Sequence, residues 1–230
     1  MKDENLSKLG GVCSILVGVS YLLLGGLVIF QLPELRTAVL SGNMGRYLEL
    51  TAQKPGNIVS EGIVYIIGAA LALAVVPAVS ARLGVENEGW VRWASTLAVI
   101  GFAVTLIGNV RAITLEPLRA AAYVAGDAST RAALAASVPI RGDLDPQSWL
   151  QFGAVGLWVL IVSWVGLRAN VWPKVLSYVG LALGFGYWLA AAGFTLKSDL
   201  LATIAAGLAG VILAPIWYIW MGLTLRKKPA

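Results

Sequence analysis

The chain has 230 residues, 58% of them hydrophobic and 13% charged, with a mean hydropathy of +0.80 and a formal charge of +5. A soluble domain is about 25% charged and about 45–50% apolar, so a water-soluble globule is excluded. With no histidine and one cysteine, His-ligated metal and haem sites, histidine bases, internal disulfides and paired-thiol relays are excluded as well. Neither a metal nor a cofactor is expected.

The charges cluster, and the gaps between them fix the elements. Charge-free windows run Leu9–Pro33, Gly62–Ala81, Trp93–Val110, Pro146–Leu167, Val175–Leu196 and Leu200–Leu225. A hydrocarbon core of ~30 Å needs about 20 helical residues. Stretches such as Leu22-Leu23-Leu24 lack the alternation of a β-barrel strand, and a helix satisfies its own amides where lipid offers no hydrogen bonds. The expected fold is all-α, a polytopic bundle of six transmembrane helices forming one membrane domain over 1–230. The helices are expected at about 9–30, 58–81, 91–113, 148–167, 174–196 and 200–224 from this length rule.

The first window reads as a retained helix. Its apolar core is too long for a signal peptide, and Phe30-Gln31-Leu32-Pro33 has no small-x-small cleavage pattern. Gly11, Gly18 and Gly25 form a smooth stripe on it. Cys13 has no nearby cation to activate it, and Ser14 and Ser20 are expected to bond back to their own helix. A loop of about thirty residues, 31–57, follows, in which Leu35, Ala38 and Val39 suggest a short amphipathic helix. The second helix opens near Asn57, a good N-cap, with Glu61 one turn on and Tyr65 one turn further, and carries Pro77. The third closes on Asn109, Arg111 and Glu116. A second long loop, 117–146, holds another short helix around Arg131, capped by Asp127 or Ser129.

Gln151 opens the fourth helix, and Trp158 and Trp188 fall inside the fourth and fifth windows. Gly180, Gly184 and Gly193 line the fifth, and Ala206, Gly210 and Ala214 the sixth, which is expected to bend at Pro215. Small-residue faces of this kind let helix backbones meet, within the chain or across a homodimer. Trp90, Trp93, Trp149, Trp164, Trp172, Trp217 and Trp220 lie near helix ends, where indoles favour the headgroup level.

An even helix count puts both termini on one side. Nine basic residues fall on that side in short segments, against eight on the other, mostly in the two long loops. Short loops dominate the positive-inside rule, so both termini are expected in the cytoplasm and both long loops outside. The basic tail serves as a membrane anchor, and no nucleic-acid partner is implied.

Ionisable groups beside the slab are the best functional pointers. Glu61, Asn109, Arg111, Glu116, Gln151, Lys197 and Asp199 all fall on the outer face and none at mid-depth. They suggest a polar-mouthed cavity in which Glu61 pairs with Arg111 across the second and third helices. The plainer alternative is a carboxylate favoured by its helix dipole and an arginine snorkelling to water. No phosphate loop, nucleophile elbow or H-E-x-x-H motif is present.

Three stretches carry a family likeness: Lys8-Leu9-Gly10-Gly11-Val12, Trp172-Pro173-Lys174-Val175-Leu176-Ser177 with Gly180, and Leu213-Ala214-Pro215-Ile216-Trp217-Tyr218-Ile219-Trp220-Met221-Gly222-Leu223. In these the chain resembles a broad bacterial group of six-helix integral membrane proteins known as a domain of unknown function. The resemblance implies a bacterial plasma (inner) membrane location and no activity. The leading expectation is a membrane protein that binds a lipid or lipophilic small molecule, or serves as an accessory subunit of a membrane complex. Its partners would be membrane lipids, a lipophilic ligand, and a second copy or larger assembly. The alternative is an intramembrane isomerase or cyclase, with Glu61 as acid and Tyr65, Trp158 and Trp188 stabilising a cation. A small transporter is a further alternative, which would need a polar path at mid-depth that the sequence does not display.

Overall fold

The computed structural model describes residues 2–30, 33–84, 88–137, 145, 147–196 and 198–227. Among these, helix is the only regular structure. Six helical spans are long and apolar enough to cross a membrane: Glu4–Leu27, Pro55–Leu83, Gly89–Ala125, Trp149–Arg168, Lys174–Thr195 and Leu200–Leu225. They belong to α1 (Lys2–Phe30), α4 (Pro55–Leu83), α5 (Glu88–Ala125), α7 (Val155–Arg168) with a preceding π-helical turn Trp149–Ala154, α8 (Lys174–Thr195), and α9 (Asp199–Ala206) joined through a second π-helical turn, Gly207–Leu213, to α10 (Ala214–Leu225). The protein is a six-span membrane protein.

The spans close into a ring in chain order. α1 packs on α4, α4 on α5, α5 on α7, α7 on α8, and α8 on α9–α10, while α10 returns to α1. Fully buried Val17, Val75, Val159, Trp158, Leu183, Tyr187, Trp217, Tyr218 and Met221 fill the interior.

Lipid tails are as apolar as leucine, so close backbone contact holds such a ring together. The α1 glycine stripe is spent entirely on the sixth span. A Cβ at Gly11 would meet the Gly222 carbonyl at 2.9 Å, and one at Gly18 the Pro215 carbonyl at 3.1 Å, while Gly25 lies against Val211. Gly156 and Gly184 repeat this contact between α7 and α8, at 3.0 and 2.7 Å from each other's carbonyls. These faces are used within the chain, as packing between its own spans.

Several expectations are corrected. On the sixth span the buried alanines are Ala202, Ala205, Ala209 and Ala214, not the even stripe Ala206, Gly210 and Ala214; nothing lies within 4 Å of a Cβ at Gly210. Pro215 has no amide for the carbonyl four residues back, and the chain answers with the wider π turn, which adds one residue to the spacing. Ser20 bonds back to the Leu16 carbonyl, but Ser14 donates across the seam to the Tyr218 carbonyl at 2.6 Å. Trp172 and Trp217 belong to the core rather than the headgroup belt, at 3% and 0% exposed; the Trp172 indole donates to the Val162 carbonyl. Cys13 is buried on α1.

The two long loops are largely helical and form a cap on the end opposite the termini. The first folds into α2 (Pro33–Leu40) and α3 (Met44–Gln53). α5 runs straight through Pro117 to Ala125, about 57 Å at 1.5 Å per residue, so it stands well clear of a ~30 Å hydrocarbon slab. Met44 and Leu48 of α3 pack on Ala120 of this overhang, with Tyr123 and Leu134 around them. α6 (Ala128–Ser137) buries no residue fully and is held by its N-terminal end and by Leu134 and Ala135 against the same cluster. Asp127 accepts from the Thr130 amide at 2.8 Å, and Arg131 donates to the Tyr123 and Val124 carbonyls that end α5.

Two outcomes follow from these contacts. Gly184→Leu should destabilise the detergent-solubilised protein by about 1–3 kcal/mol, the usual range for overpacking, whereas Gly210→Ala should leave the thermal midpoint within error. Hydrogen bonds from Thr130 and Ser129 hold the Asp127 carboxyl at a pKa of about 2, below its ordinary 3.8. The cap therefore contributes fully above pH ~4 and is lost as pH falls towards ~2. Deuterium uptake over residues 128–137 should rise in that window, and Asp127→Ala should show the higher uptake already at pH 7.

Candidate functional site

The outer ends of α4 and α5 meet beneath α3, and the polar residues of the chain concentrate there. α3 is started by Asn43, whose side chain accepts from the Arg46 amide at 3.1 Å. Arg46 ties it to α2 through Glu34 at 2.6 Å and to its own next turn through Glu49 at 3.2 Å. Leu35 and Ala38 of α2 and Leu50 of α3 share a small apolar cluster. This pins α3 over the outer ends of α4 and α5, with Tyr47 packed on the same cluster and Thr51 one turn on.

α4 begins at Pro55, which supplies the fixed φ of a first helical position. Asn57 therefore lies inside the first turn instead of capping it. Glu61 is displaced to the second turn, where the helix dipole has faded. Its half-burial is thus not explained by the helix end alone. Tyr65 follows on the same face. Gly62 brings α4 onto α5, where a Cβ would lie 3.7 Å from the Asn109 carbonyl and against Ile113.

On α5, Asn109 donates to the Thr105 carbonyl at 2.8 Å, and Arg111 is exposed at the membrane boundary. One turn above, Glu116 and Arg119 form an ion pair at 2.8 Å, with side chains only 12% and 22% exposed. Burial raises the Tyr47 phenol well above its ordinary pKa; the Glu116 carboxylate and, more weakly, Glu61 push the same way, opposed by Thr51 and Arg119. Tyr47 therefore stays a neutral hydrogen-bond donor facing two carboxylates. Thr51 Oγ1 is fully buried, with the Tyr47 phenol as its polar neighbour.

The structure thus brings Glu61, Tyr65, Asn109 and Glu116 to one junction and adds Tyr47, Thr51 and Arg119. The other candidates lie elsewhere. Gln151 belongs to the π-helical turn, where its amide and that of Leu150 donate to Asp145, each at 2.8 Å. Trp158 is wholly buried, edge-on to Phe102 and Trp217. Trp188 is 38% exposed and packs edge-on against Trp149. Asp199 opens α9, and Lys197 lies outside the described residues. Glu116 and Arg119 are spaced i, i+3, a helical ion-pair signal hidden by Pro117, which reads as the start of a loop. Nothing in the sequence ties Tyr47 to them.

Within this junction, Arg119→Met should deprive the Glu116 carboxylate of its ion pair and lower stability by about 1–3 kcal/mol, less than the ~3–5 kcal/mol for breaking a fully buried pair because both side chains keep some contact with water. The double variant Glu116→Gln/Arg119→Met should recover part of that loss in the same thermal unfolding measurement.

Comparison with curated proteins gives no match, and neither does comparison with solved structures. A family model does match, over residues 14–223, from the first span through the last. The chain belongs to the family described as domain of unknown function DUF4386.

Proposed function

We propose that the protein holds an amphiphile, a lipid or another lipophilic molecule, where the cap meets the bundle. Its polar group lies against Tyr47, Thr51, Glu61, Glu116 and Arg119, and its apolar part runs down the α4–α5 wall past Ile63, Ile67 and Ile107, which are exposed on the outer surface of the spans. The observation that carries this reading is the largely buried Glu116–Arg119 pair beside a neutral phenol, at the depth where a headgroup ends. Ion pairs of this kind rarely stabilise a fold by themselves, whereas acid, base and phenol together complement a polar headgroup. Arg111, exposed about 7–8 Å further down α5 at 1.5 Å per residue, offers a planar fork to an acidic group and pairs with Glu61 in the unliganded protein.

The reading as an intramembrane enzyme has less support, because Trp158 and Trp188 are engaged with other aromatic residues away from Glu61. We place the protein in the plasma membrane of a bacterium, with both termini in the cytoplasm and the cap outside. The test is native mass spectrometry of the full chain after gentle extraction. The wild type should retain a lipophilic molecule, and Glu116→Gln/Arg119→Met should lose it. An unliganded wild type overturns the reading, and a retained protein partner in place of a small molecule favours the accessory-subunit role.

A further inference from the structure

The interior of the ring contains a series of buried polar groups. At its centre the Tyr187 hydroxyl of α8 donates to that of Tyr21 on α1 at 2.7 Å. These helices are not neighbours in the ring, so the bond runs across its axis. Tyr21 stacks on Tyr218 of α10 with ring centroids 5.6 Å apart, and the phenols of Tyr65 and Tyr218 lie within electrostatic reach of Tyr187. Four phenols from four helices therefore gather in the interior. Tyr65 leads one turn outward to Glu61.

Towards the terminal side the series continues in groups of another kind. Tyr218 Oη, the indole nitrogens of Trp158 and Trp217, and the hydroxyls of Ser163 and Ser177 are buried with no hydrogen-bond partner. Trp217 Nε1 and Ser163 Oγ converge at Gly180, the first of them 2.5 Å from where a Cβ would stand. These five groups come from three of the spans, α7, α8 and α10.

An unsatisfied polar group in hydrocarbon costs several kcal/mol, and five of them in one seam call for water. We propose that the protein conducts protons along this hydrated file, from Glu61 through Tyr65, Tyr187, Tyr21 and Tyr218 to Ser163 and Ser177. At each step an O–H bond to one oxygen breaks as one forms to the next, and the receiving hydroxyl or water passes on its own proton. One H+ moves per passage, with no change of redox state. The two indoles only donate, so they hold waters in place and relay nothing. Both π-helical turns pack on α8 beside the phenols, through Phe152 against Tyr187 and Ala209 against Gly186. Wider turns of this kind loosen the backbone hydrogen bonding where waters need partners.

The test is proton flux into liposomes containing the purified full chain and a trapped pH dye, driven by a potassium diffusion potential set with valinomycin. Wild-type vesicles should acidify at least tenfold faster than protein-free vesicles. Tyr187→Phe and Ser163→Ala, which preserve shape, should each lose most of that rate, while the lipid-facing Trp188→Phe should keep it. Wild-type flux equal to that of protein-free vesicles overturns the proposal. So does undiminished flux in both interior variants, with thermal midpoints showing that they are folded. Neither outcome bears on amphiphile retention, which is read by mass and not by flux.

Discussion

Closure of the ring by glycine contact between α1 and α10 is the constraint on which the rest depends. In a solvent that does not drive helices together, backbones must come close enough for dispersion and carbonyl contacts to act. Gly11 against Gly222, then Gly18 and Gly25 further along, bring the first and last spans side by side. Only then can Tyr21 lie on Tyr218 and reach Tyr187 across the axis. A larger side chain on that stripe would open the ring and separate the interior phenols. The α7–α8 contact at Gly156 and Gly184 performs the same service for the other wall.

The bundle end and the cap use different physics. Between the spans, packing and a handful of buried hydroxyls hold the structure. Above them, water is present again, and capping, ion pairs and a small apolar cluster around Leu48 become effective. α5 belongs to both regimes, because it leaves the slab and carries Glu116 and Arg119 up to α3. The junction between the regimes is where a carboxylate and a guanidinium can be sheltered without being stranded in hydrocarbon, and that places the polar cluster where an amphiphile changes from tail to head.

The sequence made the spans legible because charge is so costly in lipid that its absence marks them residue by residue. It also carried Asp127 as one of two candidate caps, with Ser129, and the packing role of Gly11, Gly18 and Gly25, since each is a local pattern. It did not carry the register of the sixth span, because the π turn before Pro215 shifts the buried face by one residue and no composition signals that. The junction was half visible: Glu61 and Glu116 stood out as charges, but Tyr47 and Thr51 join them only through the folding of α3 over the bundle. The interior file was invisible for a related reason. Tyr21, Tyr187 and Tyr218 are scattered among apolar residues, and their hydroxyls meet only once the ring has closed.

Burial of Cys13 has a practical consequence. The only thiol in the chain is sealed against the core, so a membrane-impermeant maleimide meets no reactive sulfur in the folded native protein. The wild type is therefore a ready-made background for sidedness labelling. A single cysteine introduced at Ser41 or Gly126 on the cap, or at Arg82 on the opposite end, reports from which compartment each end of the bundle is reached.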